Sequence, residues 1–382
     1  MNYHKLTYCE NDILLEVAEF GNGTEVKECH LMMHQVNPER TFAEQLSGLV
    51  RSFGHILGKR YHDFKMVFGR CFVSDAANQE HHVSAATRRF GGVVSVIEQP
   101  PLNGTKIAMW AYLQANVEMH VPGDNLVEIC HNGYRHLWCS PAPVGEAGAR
   151  LQTMRLFNDY IDNLSSLGYD LAQNCMRTWL LVNDIDNNYA GVVQGRNEIF
   201  DTCNLTKDTH FIASTGISGR KALPGIAVQM DTYAINGLVP EQVQYLYAPT
   251  HLNPTHEYGV RFERGTCIKY GDRREVFISG TASIDNKGEI VCRGDVRKQT
   301  HRMWENVEML LAEAHCRFSD VGHMIVYLRD SADYTVVRRL FNEKFPDIPT
   351  VIVHAPVCRP GWLIEMECMA TKTDNNEAFH PF

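Results

Sequence analysis

Near the end of this 382-residue chain, Glu365 and Glu367 alternate with Ile364 and Met366. In an extended strand such alternation sets the two carboxyls on one face, about 7 Å apart. If that face lines a desolvated pocket, burial and the second carboxylate both raise a pKa, leaving one protonated acid near neutral pH for general-acid work. The same pair could equally form a solvated strand face or hold Arg359 structurally. Cys358 stands seven residues before Glu365 and next to Arg359, a guanidinium that favours the reactive thiolate. Its alternative is core filler, because the other cysteines are scattered singly. Arg261 and Arg264 follow Tyr258 on a Gly-flanked loop, and Arg196 follows Gly195. Arginine suits bidentate carboxylate binding, although a lone arginine is commonly a surface residue. Ser214, Thr215 and Gly216 would offer backbone N–H groups to an anion, or simply make a turn.

Composition narrows the classes of function. Apolar residues make up 44% of the chain and charged residues 21%, which excludes a disordered chain, and 36 Lys+Arg against 45 Asp+Glu leave a net charge of -9. That acidic balance argues against nucleic-acid or membrane-surface partners, which need a basic face. The N-terminus lacks a basic-then-apolar leader pattern, and no window is long and apolar enough for a membrane span, so the expectation is a cytoplasmic protein. The 12 Cys include no C-x-x-C and read as reduced thiols; the 18 His include no H-E-x-x-H or H-x-H. His81 and His82, beside Glu80, read as a solvated loop rather than a metal site. Neither metal nor cofactor is expected, and neither phosphate-binding glycine motif is present.

The elements that must position these residues come from an internal repeat. From Gln45, Gln152 and Gln299, steps of 4, 5, 8 and 12 give Leu49, Val50, Phe53 and Leu57, then Leu156, Phe157, Tyr160 and Leu164, then Met303, Trp304, Val307 and Leu311. This spacing is one face of a helix and predicts helices near 42–58, 153–167 and 300–315. Each is followed by an apolar strand ending in an acidic turn, with Asp75, Asp184 and Asp330 lying 30, 32 and 31 residues beyond the glutamines. A closing strand recurs at 105–112, 226–233 and 362–369, with Met109, Met230 and Met366 in register. Glu365 then aligns with Ala108 and Gln229, so only the third copy carries the acid.

The repeat divides the chain into units at 1–116, 117–238 and 239–382, each a comfortable small α+β domain, with a polar tail expected to fray. Strands before the helix and two strands after it put helices on one face of a mixed sheet.

The third unit, with FISGTASID at 277–285, Gln299 on its helix, VYLRD, and WLIEMECMA closing the domain, resembles the YjgF/Rid family. The resemblance implies trimers whose three sheets pack into a central barrel with pockets at subunit interfaces. Three tandem copies therefore read as an intrachain pseudo-trimer, monomeric or further associated. The last two units resemble the chorismatases more narrowly, in Gly195-Arg196, Ser214-Thr215-Gly216-Ile217, the run from Tyr258 to Arg264, FISGTASI, and Cys358-Arg359-Pro360 followed by Leu363-Ile364-Glu365.

Chorismatases are Rid-fold enzymes that cleave the enolpyruvyl ether of chorismate to pyruvate and a cyclohexadiene diol or hydroxybenzoate. The resemblance implies Glu365 as the acid, Cys358 as a residue favouring 3-hydroxybenzoate, and Arg196, Thr215, Gly216, Tyr258, Arg261, Arg264 and Arg359 as binders of a small carboxylate substrate. Deaminating Rid enzymes carry an Arg on the strand some fifteen residues before the closing-strand Glu, where this chain has Pro349-Thr350-Val351-Ile352. Enamine or imine hydrolysis is thus the alternative activity, and a non-catalytic small-ligand sensor the alternative class.

Overall fold

The computed structural model describes residues 1–21 and 23–382, with the side chain of Tyr258 outside the description. It contains three six-stranded sheets of one topology. The first is built from Asn2–Tyr8, Ile13–Phe20, Lys27–Gln35, Phe64–Val73, Val93–Glu98 and Ile107–Ala115. Its first three strands form an antiparallel meander and the closing strand pairs with the third. The fourth strand runs antiparallel to the closing strand, and the fifth lies parallel to the fourth at the edge. The second and third sheets repeat this order with closing strands Val228–Asn236 and Ile364–Thr373. The chain is therefore an α+β pseudo-trimer around a β-barrel core.

The long helices Phe42–Lys59, Gly148–Ser166 and Val296–Glu313 fall where the repeat places them, and their apolar faces lie against the sheets. The last two begin four to five residues earlier than the stripe suggests, because a cap rather than the first apolar residue sets a helix start: Asp295 accepts a hydrogen bond from Lys298 N–H. The three glutamines share one task. Gln45, Gln152 and Gln299 are buried, and their Oε1 atoms accept the backbone N–H of Lys106, Ala227 and Leu363 at 2.8, 2.8 and 2.9 Å. Each acceptor thus ties a helix to the residue before its closing strand.

Three expectations change here. Each unit has a second helix, Ala76–Thr87, Ile185–Thr202 or Tyr334–Lys344, which joins the fourth strand to the parallel fifth. A parallel pair needs such a crossover. The acidic turns are the entries to these helices, Asp75 capping the first through Asn78 N–H. The apolar pattern in AANQEHHVSAAT is too thin to announce a helix, burying only Ala76, Gln79, Val83 and Thr87. His81 and His82 accordingly sit on an exposed helix face rather than in a loop. The tail does not fray: Phe382 is fully buried, donates its N–H to Asp272 at 2.8 Å, and sets its ring 4.5 Å from that of His131.

Where the sheets meet, aromatic rings pass contact from one to the next. Phe68 lies 5.1 Å from Trp138, Tyr233 5.2 Å from Phe277, and Trp110 4.0 Å from His323. Among the described residues no helix is long and apolar enough to cross a membrane.

Gln299→Ala should destabilise the fold by about 2–4 kcal/mol, because it strands the half-buried Leu363 N–H and the carbonyls of Gly361 and Cys292 that the buried amide serves. Urea unfolding measures this; a wild-type midpoint would show the tie to be dispensable.

Candidate functional site

The edge strand Ala213–Ser218 of the second sheet runs beside Arg273–Ala282 of the third. Ser214 N–H donates to Ser279 Oγ at 2.9 Å and Gly280 N–H to Thr215 Oγ1 at 2.8 Å. A narrow cleft with a free volume of about 50 Å³ lies at this seam, and Glu365, Cys358, Arg196, Gly216, Arg264 and Arg359 all reach it.

Glu365 stands on the closing strand opposite Ala282 on one side and Tyr327 on the other. The equivalent register positions are Ala108 opposite Phe72 and Gln229 opposite Leu181. The pairing between Arg273–Ala282 and the closing strand is irregular between Ile278 and Thr281, and Gly280 sits in that irregularity. A Cβ there would collide with the Glu365 carboxylate, so glycine makes the room for it. Burial first, then the charge of Glu367, pushes the Glu365 carboxyl up to about 8, against the opposing pull of Arg177 and Arg264. The group is a neutral proton donor at neutral pH.

Glu367 shares the strand face but has a different task. Its Oε2 accepts from Arg177 Nη2 at 2.7 Å and from the Thr215 hydroxyl, and its Oε1 accepts from Trp179 Nε1 at 2.9 Å. It is a buried structural carboxylate whose charge faces Glu365.

The cationic side of the cleft comes from three elements. Arg196 lies on the buried face of helix Ile185–Thr202, 5.8 Å from the Phe200 ring. Gly195 permits that placement, because the neighbouring helix brings the Arg150 carbonyl where a Cβ would be. Arg264 donates Nη2 to the Asn253 carbonyl at 3.0 Å, and Arg359 lies 4.8 Å from the Trp362 ring.

Several sequence expectations are corrected. Arg261 does not reach the cleft: it pairs with Asp201 and donates to the Asn197 carbonyl at 3.2 Å. Thr215 spends its hydroxyl on Glu367, Arg177 and Gly280, so it serves the framework rather than a ligand. The 214–216 segment is a strand and not a turn, with the Ser214 N–H already committed to Ser279. Cys358 is not poised as a thiolate. Burial, then the Glu365 charge, pushes its thiol up to about 12, outweighing Arg359. The Tyr258 side chain lies outside the described residues.

The sequence left out Tyr189, Phe262 and Trp362, which also line the cleft. The Tyr189 ring lies 2.8 Å from where a side chain on residue 216 would begin, so Gly216 is there to admit it. Tyr189 escaped notice because it belongs to a helix that the apolar pattern does not reveal, while Trp362 sits inside the quoted Cys358–Glu365 segment. Among the described residues, no three His, Cys, Asp or Glu side chains gather as a metal would require. The chemistry on offer is a neutral carboxyl facing three guanidiniums: an anion site with a proton donor.

Comparison with known proteins bears on the same region. A family model described as Endoribonuclease L-PSP matches residues 267–372. A RutC family protein of Pyrococcus abyssi is 37% identical over 109 residues, covering 28% of this chain and 84% of that protein. A chorismatase of Streptomyces rapamycinicus is 26% identical over 246 residues, covering 56% and 68%. The crystal structure of a chorismatase superposes with a TM-score of 0.61 at 20% identity over 80% of this chain and 93% of that one, a likeness of fold.

The native Glu365 keeps its proton up to about pH 8, whereas an unfolded-state carboxyl loses it near 4.5. Between those values the native state binds more protons, so this residue's contribution to stability falls as pH rises. Glu365→Gln should therefore be more stable than wild type by a margin that grows across that window, to on the order of 4 kcal/mol near pH 8. Thermal melts across the pH series measure it, and a margin that does not change with pH would show that the carboxyl is not held neutral.

Proposed function

Because this chain belongs to the RutC family, the group also described as endoribonuclease L-PSP or YjgF/Rid, we propose that it turns over a small carboxylate at the seam of its second and third sheets, cleaving the enolpyruvyl ether of chorismate or a close relative. The observation that carries this reading is the neutral, buried Glu365 in a cleft walled by Arg196, Arg264 and Arg359. It is supported by the chorismatase-like segments of the sequence and by the Streptomyces relative.

Chorismate brings two carboxylates and an acid-labile vinyl ether. The guanidiniums bind the carboxylates, and their charges are then cancelled by the ligand, so the opposing pull on Glu365 weakens when substrate is bound. Glu365 gives its proton to the terminal methylene carbon, and the ether oxygen shares the resulting charge as an oxocarbenium. Water adds to the ether-bearing carbon of that oxocarbenium and loses a proton back to the Glu365 carboxylate; the hemiketal collapses to pyruvate and the ring diol. Capture by the ring hydroxyl is the variant route, and loss of one water from the diol level gives a hydroxybenzoate. Phe262 and Trp362 give the ring an apolar wall. Where a chorismatase has Cys at the place of Cys358, the family resemblance points to 3-hydroxybenzoate; the thiol acts here in its neutral form.

Pyruvate release from chorismate, with chromatography of the ring product, tests the reading. Glu365→Gln should lower kcat by at least about 10²-fold and leave binding within a few-fold. With wild type, kcat/KM should fall as pH rises past about 8, where the acid loses its proton. Cys358→Ala should move the product from an aromatic acid toward the diene diol while pyruvate still forms. Wild-type turnover by Glu365→Gln removes the acid role. Chorismate left intact, with an enamine hydrolysed instead, makes the protein a RutC-type hydrolase; binding with no turnover makes it a sensor. The strand Thr350–His354, which carries no Arg, weighs against the hydrolase.

A further inference from the structure

On the side of Glu365 away from the cleft, a buried ionic cluster is assembled from all three sheets. Arg70, on Phe64–Val73 of the first sheet, donates Nη2 to Asp231 Oδ2 of the second at 2.8 Å and holds Nη1 3.5 Å from Glu367 Oε1 of the third. Arg177 of the second sheet closes the arrangement on Glu367. All four side chains are 4% exposed or less.

Charge counting gives this cluster a consequence for the cleft. Two guanidiniums stand against the carboxylates of Asp231 and Glu367, so Glu365 is the third acid, with no cation left over behind it. While Glu365 is protonated the group is neutral. Its ionisation would leave this cluster with one net negative charge in a desolvated place, which is costly. Of the other groups that face Glu365, Arg264 opposes its neutral form from the cleft side. Tyr327, cross-strand, and Cys358, at the cleft, are held in their neutral forms by burial. Arg196, Arg264 and Arg359 lie on the ligand side.

We propose that Arg70 and Asp231 are positioning residues: by balancing Glu367 they set the protonation of Glu365, and so make the first sheet, which carries no acid of its own at the aligned place, part of the catalytic apparatus. The proposal rests on the acid role given to Glu365 above. Neither Arg70 nor Asp231 is among the residues lining the cleft.

The test is a charge cycle: Asp231→Asn, Arg70→Met and the double variant. Two readouts are taken on the full chain. One is the infrared carbonyl band of protonated Glu365, assigned by its loss in Glu365→Gln and titrated without substrate. The other is the high-pH limb of kcat/KM for chorismate. Asp231→Asn leaves a surplus positive charge and should lower the Glu365 midpoint by about one pH unit; Arg70→Met should raise it by about as much. The double variant should return to within a few tenths of wild type.

A purely structural role would lower the melting temperature or kcat and leave the midpoint in place. Shifts in the same direction, or none, overturn the proposal. If Arg70→Met does not fold, Asp231→Asn must still move the infrared midpoint and the double variant restore it, or the proposal fails. Opposite infrared shifts in a protein that leaves chorismate untouched uphold the coupling and remove the substrate reading instead.

Discussion

The structure depends on the pairing of buried charge where its three sheets meet. Arg70 on Asp231 and Arg177 on Glu367 are fully desolvated pairs, and removing one member of such a pair costs far more than the pair contributes. Each sheet supplies at least one member, so none of the sheets can separate without leaving an uncompensated ion in an apolar interior. Elsewhere the sheets are joined by a further buried pair, Arg273 on Glu28, by hydrogen bonds such as Thr350 N–H to Glu16, and by stacked rings and apolar burial that tolerate small shifts. The ionic cluster does not, because its hydrogen bonds fix donor and acceptor atoms. It sets the register between sheets, and with it the seam where Ala213–Ser218 meets Arg273–Ala282.

The contrast between two buried glutamates shows how placement decides chemistry on this fold. Glu16 lies at the seam of the first and third sheets, where burial would raise its pKa as it does for Glu365. Hydrogen bonds from His34, Lys5 and the Thr350 N–H overcome that and hold it at about 2. Glu16 is thus a permanent anion that seals its seam. Glu365 meets the like charge of Glu367 instead, and a cleft in place of donors, so it stays protonated. At the aligned place in the second sheet, Gln229 donates its amide to the Pro141 carbonyl at 2.7 Å, and that position too is closed by an internal bond.

What could be read from the sequence follows from which interactions are local. The helix stripes at Leu49, Leu156 and Met303 and the three glutamines were legible because each repeats a fixed spacing within its own unit. Glu365 stood out because the repeat supplies Ala108 and Gln229 as internal controls. The second helices were not legible, since Ala76–Thr87 buries too few apolar side chains to show a period. Thr215, Arg261 and Cys358 were misread for a shared reason. Their neighbours Glu367, Asp201 and Glu365 lie 152, 60 and 7 positions away in sequence, and only the fold brings each pair into contact. A guanidinium next in sequence says little about a thiol when burial, and then the Glu365 carboxyl, disfavours the thiolate.

The same reasoning explains how a threefold fold can carry one site. Folding a closed barrel demands that every seam be filled, and a filled seam with satisfied polar groups is the stable solution. The seam of the first and third sheets follows that rule through Glu16, and within the second unit the Gln229 amide is spent on the Pro141 carbonyl. At the seam of the second and third sheets, glycines at 216 and 280 withhold the side chains that would fill it, and the space goes to the Tyr189 ring and the Glu365 carboxyl. A buried acid held neutral costs stability as pH rises, and three guanidiniums around an open cleft repel one another. A single chain can confine those costs to one seam while the other two stabilise it. In a trimer of identical subunits every seam would bear them equally, so joining the units in tandem is what lets the first sheet give up a site and contribute Arg70 instead.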